Sequence, residues 1–367
     1  MARKLKSDRW LFLATLALIC VSVVMVASAS MPVAMRQHKP AYFFLQKQAM
    51  WAAMGLALLA LAMRFDYRHY KQPAVVWTMI GMAVVALILV LFFGPVVKGG
   101  RRWLYIGNLG LQPSEFAKLA MVLFTAALLE KRMDRINDLR YSMPPIVIVL
   151  GAIVGLILLE KDLGNPIAIV AVAGATIFAA GLAVRYVVVA GAALAPLGAL
   201  FVIIEPYRAA RLFAFLDQSK DSQGINWQLT QSKIAVGSGG VTGRGISEGF
   251  QKLYYLPEPH NDFIYAVIAE ETGLLGATAI LVCFAVIAWR GLRVAGRAPD
   301  AFGALLATGL TAMIAIQAFV NMSVVLGLMP TKGIPLPLVS AGGSSLLITL
   351  LAVGILLNIS QHASAEE

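Results

Sequence analysis

Charge is scarce in this chain. Lys, Arg, Asp and Glu make up 13% of its 367 residues, against roughly 25% in a soluble domain. So little polar surface cannot cover a water-exposed globule. Cysteine is scarcer still. Cys20 and Cys283 both fall inside apolar runs and read as small buried hydrophobes, which excludes a disulfide framework or a zinc ribbon. His38, His69, His260 and His362 show no His-x-x-His or His-Glu-x-x-His spacing, so no dedicated metal cage is encoded. A nucleotide loop is also missing. The run Gly237–Gly245 is glycine-rich but lacks the Gly-Lys-Ser/Thr ending, although its backbone amides could still approach a phosphate.

What is present is apolar sequence, at 59% of residues and a mean hydropathy of +0.79. A membrane-crossing helix needs about 20 mostly apolar residues. Such runs recur ten times, near Trp10–Ala29, Phe44–Met63, Pro73–Phe93, Ser114–Leu129, Met143–Leu159, Leu163–Leu182, Val187–Ile204, Asp262–Trp289, Phe302–Leu328 and Leu338–Ile359. The first is too long for a signal-peptide core and reads as a retained helix. The expected fold is all-α and polytopic, a single membrane domain over residues 1–367. Spans one to seven occupy 9–204, a large extracytoplasmic segment 205–258, and spans eight to ten 259–360.

Orientation follows the Lys and Arg of short loops. One side collects Arg3, Lys4, Lys6 and Arg9, then Arg64, Arg68 and Lys71, then Lys131, Arg132, Arg135 and Arg140, then Arg185, Arg290, Arg293 and Arg297. That side is read as cytoplasmic, with both termini on it. Cations that break the rule lie outside: Lys98, Arg101, Arg102, Arg208, Arg211, Lys220, Lys233, Arg244, Lys252 and Lys332. They are either tolerated surface charge or the binding groups of an anionic ligand on the outer face. The net charge of +11 suits a protein near anionic lipid. Nothing points to nucleic acid. Trp227, Tyr254, Tyr255 and apolar stretches such as Leu212–Leu216 suggest short interfacial helices within the outer segment.

Acids inside a bilayer are expensive and commonly functional. Four outer stretches concentrate them. Asp262 ends a Pro-rich loop where span eight begins, and reads as a helix cap, a base at the outer surface, or both. Glu270 and Glu271 follow about 12 Å deeper at 1.5 Å per residue, on different sides of that helix, and read as a polar network. Gln112-Pro-Ser opens span four with Ser114 as N-cap, and Glu115 and Lys118 share a face three residues apart, as an ion pair would. Trp103 nearby reads as an interface aromatic. Glu160-Lys-Asp-Leu-Gly164 is a charged turn that either caps a hairpin or joins the outer site. Last, Gly and Pro break the helix around Lys332, before Ser340-Ala-Gly-Gly-Ser344. Broken backbone at membrane depth survives only where it is buried in protein or lines a cavity.

Taken in order, these stretches resemble the SEDS family (shape, elongation, division and sporulation proteins). The resemblance rests on Arg102-Trp103 followed by Gln112-Pro-Ser-Glu115, on Asp162-Leu-Gly164, on Tyr255-Leu-Pro-Glu-Pro-His-Asn-Asp-Phe-Ile264, and on Pro330-Thr-Lys-Gly333 with Ser340-Ala-Gly-Gly-Ser344. Lys332 is similar to the division and sporulation branches rather than the elongation branch. Asn261 stands where the family usually has Thr, Glu160-Lys161 where it has Gln-Pro, and Ala341 where it has Tyr.

The resemblance implies a peptidoglycan glycosyltransferase of the septal cell wall that polymerises lipid II, the undecaprenyl-diphosphate-linked disaccharide pentapeptide. It places the essential acid on Asp262 and family motif residues on Arg102, Trp103 and Asp162. It also implies a class B penicillin-binding protein as transpeptidase partner, other division proteins, and a place in the bacterial inner membrane. A sugar diphosphate carries its own energy, so no ATP site is needed. Inverting transfer needs a base for the acceptor hydroxyl and cations for the departing diphosphate. Asp262 is the expected base. Arg101, Arg102, Trp103, Glu115, Lys118, Asp162, Arg208, Arg211, Lys332 and Ser340 are expected at the substrate. Mg²⁺ or Mn²⁺ between Asp162 or Asp262 and phosphate is compatible with the sequence, though no signal demands it. A lipid II flippase would need the same basic cavity and broken helices.

Overall fold

The computed structural model describes residues 7–97, 99–107, 109–204, 206–216, 224, 226–253, 255–331 and 333–363. Its helices are α1 (Arg9–Arg36), α2 (Phe43–Ala62), α3 (Pro73–Phe93), α4 (Pro113–Glu130), α5 (Leu139–Ser142), α6 (Pro144–Leu159) and α7 (Gly164–Ala179). They continue as α8 (Val184–Ile204), α9 (Pro206–Leu216), α10 (Trp227–Ser238), α11 (Ile264–Gly296), α12 (Ala301–Val325) and α13 (Gly343–His362). Ten of these coincide with the expected spans. Six of the ten, α1, α2, α3, α11, α12 and α13, are long and apolar enough to cross a membrane on length and composition alone. Apolar segments of α6, α7 and α8 are shorter, and α4 carries Glu115 and Lys118 within its 18 residues.

The interior is made by α4, α12 and α13, which are buried along most of their lengths, with α1, α2, α7 and α11 packed around them. Small residues let backbones meet. A Cβ on Gly354 of α13 would lie 2.8 Å from the Leu59 carbonyl oxygen of α2, and one on Gly343 would strike the Trp51 ring. Cys20 faces outward rather than inward, so it belongs to the lipid-facing side of α1 and not to the core.

The start of α1 and the end of α13 lie on one face. The Asp8 carboxylate pairs with Arg290 of α11, and its backbone N–H donates to Ser360 of α13 at 3.1 Å. On the same face the Tyr67 hydroxyl donates to Asp300, and the Tyr67 backbone N–H donates to the Asn358 side-chain oxygen at 2.9 Å. An even number of crossings requires this arrangement.

The opposite face departs from simple spans in three ways. Two small antiparallel pairs, β1 (Val96–Val97) with β2 (Gly100–Arg101) and β3 (Leu104–Ile106) with β4 (Leu109–Leu111), fold the loop before α4. In the long outer segment, α9 is amphipathic as expected, but α10 buries Leu229, Ser232 and Ala235 and docks on α11 and α12. Ser232 donates to the Val325 carbonyl at 2.8 Å, so α10 is part of the packed bundle rather than a helix resting on lipid.

The third departure is a break in α11. Gly273 has φ 67° and ψ −165°, a conformation open to glycine and foreign to helix, so span eight is two helices rather than one. The glycine-rich run completes the broken ladder. Arg244 and Gly245 donate to the Glu270 and Glu271 carbonyls at 3.1 and 3.0 Å, while Leu274 and Leu275 donate to Gly240 and Val241 at 2.9 and 3.2 Å. A Cβ on Gly239 would sit 1.9 Å from the Ala269 carbonyl oxygen, and one on Gly243 would sit 2.2 Å from that of Glu271. The glycines therefore allow backbone to lie on backbone, and these amides are spent on the helix break rather than on phosphate.

Candidate functional site at the outer face

Asp262 sits in the turn before α11, whose N-cap is Phe263 and carries no side-chain cap, so Asp262 is not the cap expected of it. Its height comes from its neighbours. Asn321 donates to the Asp262 carbonyl at 2.9 Å and to that of Ile334 at 2.7 Å. Asn321 lies 20 residues beyond Ala301, about 30 Å up α12 at 1.5 Å per residue. A hydrocarbon core is about 30 Å thick, so Asp262 stands at its outer boundary.

The carboxylate of Asp262 abuts the broken loop between α12 and α13. A Cβ placed on Gly333 would lie 3.0 Å from Oδ2. That loop dips inward, since the Val339 carbonyl accepts from Ser22 of α1 at 2.8 Å, and Gln48 of α2 donates to Ser22 at 2.7 Å. Ser340 ties the two loops together. Its hydroxyl accepts from the Leu336 N–H and donates to the Asn261 carbonyl, both at 2.7 Å, while Ala341 donates to the His260 carbonyl at 2.9 Å. Ser340 thus sets the position of the Asp262 turn through the backbone, instead of facing a ligand.

Cations reach the same loop from the outer segment. Arg211 of α9 is directed at the Thr331 carbonyl at 3.4 Å, and Gly327 lies against the Lys233 side chain, where a Cβ would come within 2.2 Å of Cε. Lys332, and the side chain of Arg208, lie outside the described residues. Below the loop, Lys118 bridges Glu115 at 2.8 Å and Gln317 at 2.7 Å, and Gln317 donates to the Pro335 carbonyl at 3.1 Å. Glu115 and Lys118 are each 2% exposed, so the expected ion pair is present and sealed, and it supports the loop from beneath.

The charged turn before α7 approaches from the side. Asp162 accepts from the Gly164 and Asn165 N–H groups and from Asn165 Nδ2, which also donates to Ser114 at 3.0 Å. Ser114 is a partner of Asn165 and not the N-cap of α4, a place taken by Gln112. Gly164 packs on Ile334, where a Cβ would come within 2.7 Å. Arg102 donates to the Lys161 carbonyl, and Trp103 packs beside Gly110. Arg101 lies apart from the group, exposed, donating to the Leu91 and Phe92 carbonyls at the end of α3. Glu160 is 1% exposed, with neither carboxylate oxygen hydrogen-bonded. Burial, reinforced by the neighbouring Asp162 charge and opposed by Arg102, lifts its pKa to about 8.

Among the described residues no group of three or more His, Cys, Asp or Glu side chains converges as a metal cage would require. Asp162 is already engaged by the Gly164 and Asn165 N–H groups and the Asn165 side-chain amide at the start of α7. The described residues therefore assemble no cage for a resident metal.

Glu270 and Glu271 are not deeper than Asp262. Glu271 accepts from Ser28, which lies 19 residues beyond Arg9 and about 28 Å up α1, the same level as Asp262. The break at Gly273 lays the first part of α11 across the outer boundary. The two carboxylates, expected on different sides, both serve one loop. Glu270 accepts from the Phe250 and Gln251 N–H groups, and Glu271 from the Ser247 N–H and from Lys252 at 2.6 Å. Asn321, Gln317 and Asn165 complete the site and were not selected from sequence, whereas Lys233 was among the cations that break the charge rule. An Asn or Gln within an apolar span is the signal that finds the first two.

The family profile of the cell cycle proteins FtsW, RodA and SpoVE matches residues 9–365. The chain belongs to the FtsW/RodA/SpoVE family. Among similar proteins, the probable peptidoglycan glycosyltransferase FtsW of Trichlorobacter lovleyi is 42% identical over 353 residues, covering 96% of this chain and 93% of the relative. Stage V sporulation protein E of Bacillus subtilis is 37% identical over 363 residues, covering 98% and 99%. Two solved structures share the fold. A chain of a peptidoglycan synthase complex that coordinates polymerization and crosslinking aligns with a TM-score of 0.80 at 30% identity, covering 96% and 97%. The Thermus thermophilus rod shape determining protein RodA aligns with a TM-score of 0.72 at 28% identity, covering 98% of each chain. The protein is therefore a multi-pass membrane member of this family.

Proposed function

We propose that this family member is a peptidoglycan glycosyltransferase that polymerises lipid II at the outer face of the cytoplasmic membrane, for the septal wall. One observation carries the reading: the Asp262 carboxylate and the Arg211 guanidinium approach the same dipped loop, at Gly333 and Thr331, at the height of the outer membrane boundary. An acid and a cation so arranged suit a transfer in which one end of the reacting bond gains a proton acceptor and the other a counter-charge.

In the proposed step, the sugar hydroxyl of the acceptor attacks the anomeric carbon of the donor with inversion. Asp262 takes the hydroxyl proton, the new glycosidic C–O bond forms, and the anomeric C–O bond to diphosphate breaks. The polyprenyl diphosphate leaves with the bonding pair. General-base assistance of this kind is worth roughly 10²–10⁴-fold. Arg211 and Arg102, with Arg208 and Lys332, are proposed to meet the diphosphate, and the outer position of the site leaves the polyprenyl tails in the lipid. Ser340, Asn321 and the Glu115–Lys118–Gln317 chain hold the loops in register. The cationic loops on the opposite face lie in the cytoplasm under the Lys/Arg rule, and residues 1–367 form one membrane unit. A class B penicillin-binding protein and other division proteins are the proposed partners, in keeping with the synthase-complex relative.

The test is the product. Purified protein reconstituted in liposomes with lipid II should yield glycan polymer and release polyprenyl diphosphate. Lipid II moved between leaflets with no polymer would replace this reading by transport.

A further inference from the structure

A recess of about 440 Å³ lies behind the Asp262 turn, between the outer end of α1 and the loop of residues 252–260. Its size falls within the ~300–1,000 Å³ of small-molecule sites. Val33, Leu256, Pro257 and Pro259 give it apolar walls. Arg36, Gln37, Lys252, Glu258 and His260 supply its polar groups. It is distinct from the dipped loop that meets the Asp262 carboxylate.

The lining decides what class of ligand fits. Lys252 is 5% exposed and already neutralised by Glu271 at 2.6 Å, with Ser28 a further partner at 2.8 Å. Glu258 adds a carboxylate to the same lining as Arg36. A diphosphate would meet a mixed field here rather than the cationic one at Thr331. A polyhydroxylated sugar suits it better, since hydroxyls both donate and accept and the ring faces pack on apolar walls. The walls are also fixed. The His260 ring rests on Phe44 at 5.1 Å between centroids, its carbonyl is held by Ala341, and Lys252 is anchored from below. His260 is two residues from Asp262, at most about 7 Å along the backbone.

We infer that this recess is a saccharide subsite, holding the acceptor sugar so that its hydroxyl is delivered over the turn to Asp262. The inference rests on the polymerase reading, because it is the acceptor of that reaction that needs a seat beside the base but away from the diphosphate cations.

The probe is the lipid-free disaccharide pentapeptide, without diphosphate, added to the full-length protein in nanodiscs and followed by saturation-transfer NMR. Transfer to the sugar protons is expected in the native chain and in Asp262→Asn. Val33→Trp, which fills the recess, should abolish it. Arg36→Ala, at the exposed rim where folding is not at stake, should weaken it about fivefold, the scale of one hydrogen bond. No transfer in the native chain, or equal transfer in both recess variants, overturns the subsite. A polymerisation assay on the same samples separates the two readings. Loss of polymer in Asp262→Asn without probe binding removes the subsite alone, whereas polymer from Asp262→Asn removes the catalytic reading whatever the probe does.

Discussion

Gly333→Ala probes the placement of Asp262 without touching a charge. Gly333 has no positive φ, so alanine is tolerated by the backbone. The new methyl would lie 3.0 Å from Asp262 Oδ2, against 3.4 Å for ordinary contact. The carboxylate must therefore retreat by about 0.4 Å. A misplacement of 1 Å at a reacting group costs about 10²-fold, so on a logarithmic scale this shift predicts a fall of roughly sixfold in rate. The assay is initial polymerisation rate on lipid II at saturating substrate, with thermal unfolding as the control. Stability should change by less than about 1 kcal/mol, since the methyl meets the end of a side chain rather than backbone. A Gly333→Ala enzyme with native rate would refute the idea that the position of this carboxylate limits the chemistry.

Lys118→Met leaves the Glu115 carboxylate buried beside an uncharged chain and should destabilise the protein by about 3–5 kcal/mol, while adding Glu115→Gln should recover much of that loss in thermal unfolding. Gly239→Ala would drive a methyl into the Ala269 carbonyl and should lower stability by about 1–3 kcal/mol, with faster hydrogen exchange of the Leu274 and Leu275 amides as the local sign. Glu160 has a folded pKa of about 8 against an ordinary value of 4.5, so the folded chain keeps a proton that the unfolded chain releases. Its contribution to stability is full below pH 4.5 and is lost as the pH rises through 8. The melting temperature should therefore fall between pH 5 and pH 9 more steeply in the native chain than in Glu160→Gln, and equal slopes would contradict it.

The spans were legible because apolar length is a one-dimensional signal that the bilayer enforces. Their interruptions were only half legible. The Gly and Pro around Lys332 announced a broken helix, and the break is there. The Gly273 break was hidden because a glycine within a membrane span is ordinary, and its partner, the run Gly237–Gly245, lies some 30 residues away. Without that pairing, Glu270 and Glu271 were placed a helix length too deep. The Glu115–Lys118 pair was readable from its i,i+3 spacing, whereas Gln317 as its third member requires the packing of α4 on α12. Ser340 was picked out by its motif, but its use as a strut between two loops depends on where those loops meet. Arg101 and Arg102 are adjacent in sequence yet reach different elements, because β2 ends between them and turns their side chains to α3 and to the 160–164 turn.

The account turns on Asp262 accepting a proton. Asp262→Asn keeps the shape of the side chain and removes that capacity, so the decisive measurement is single-turnover polymerisation of lipid II by the purified variant, checked for native thermal unfolding. The expected result is a folded protein whose rate has fallen by at least about 10²-fold. A folded Asp262→Asn protein that polymerises lipid II at the native rate would contradict the account.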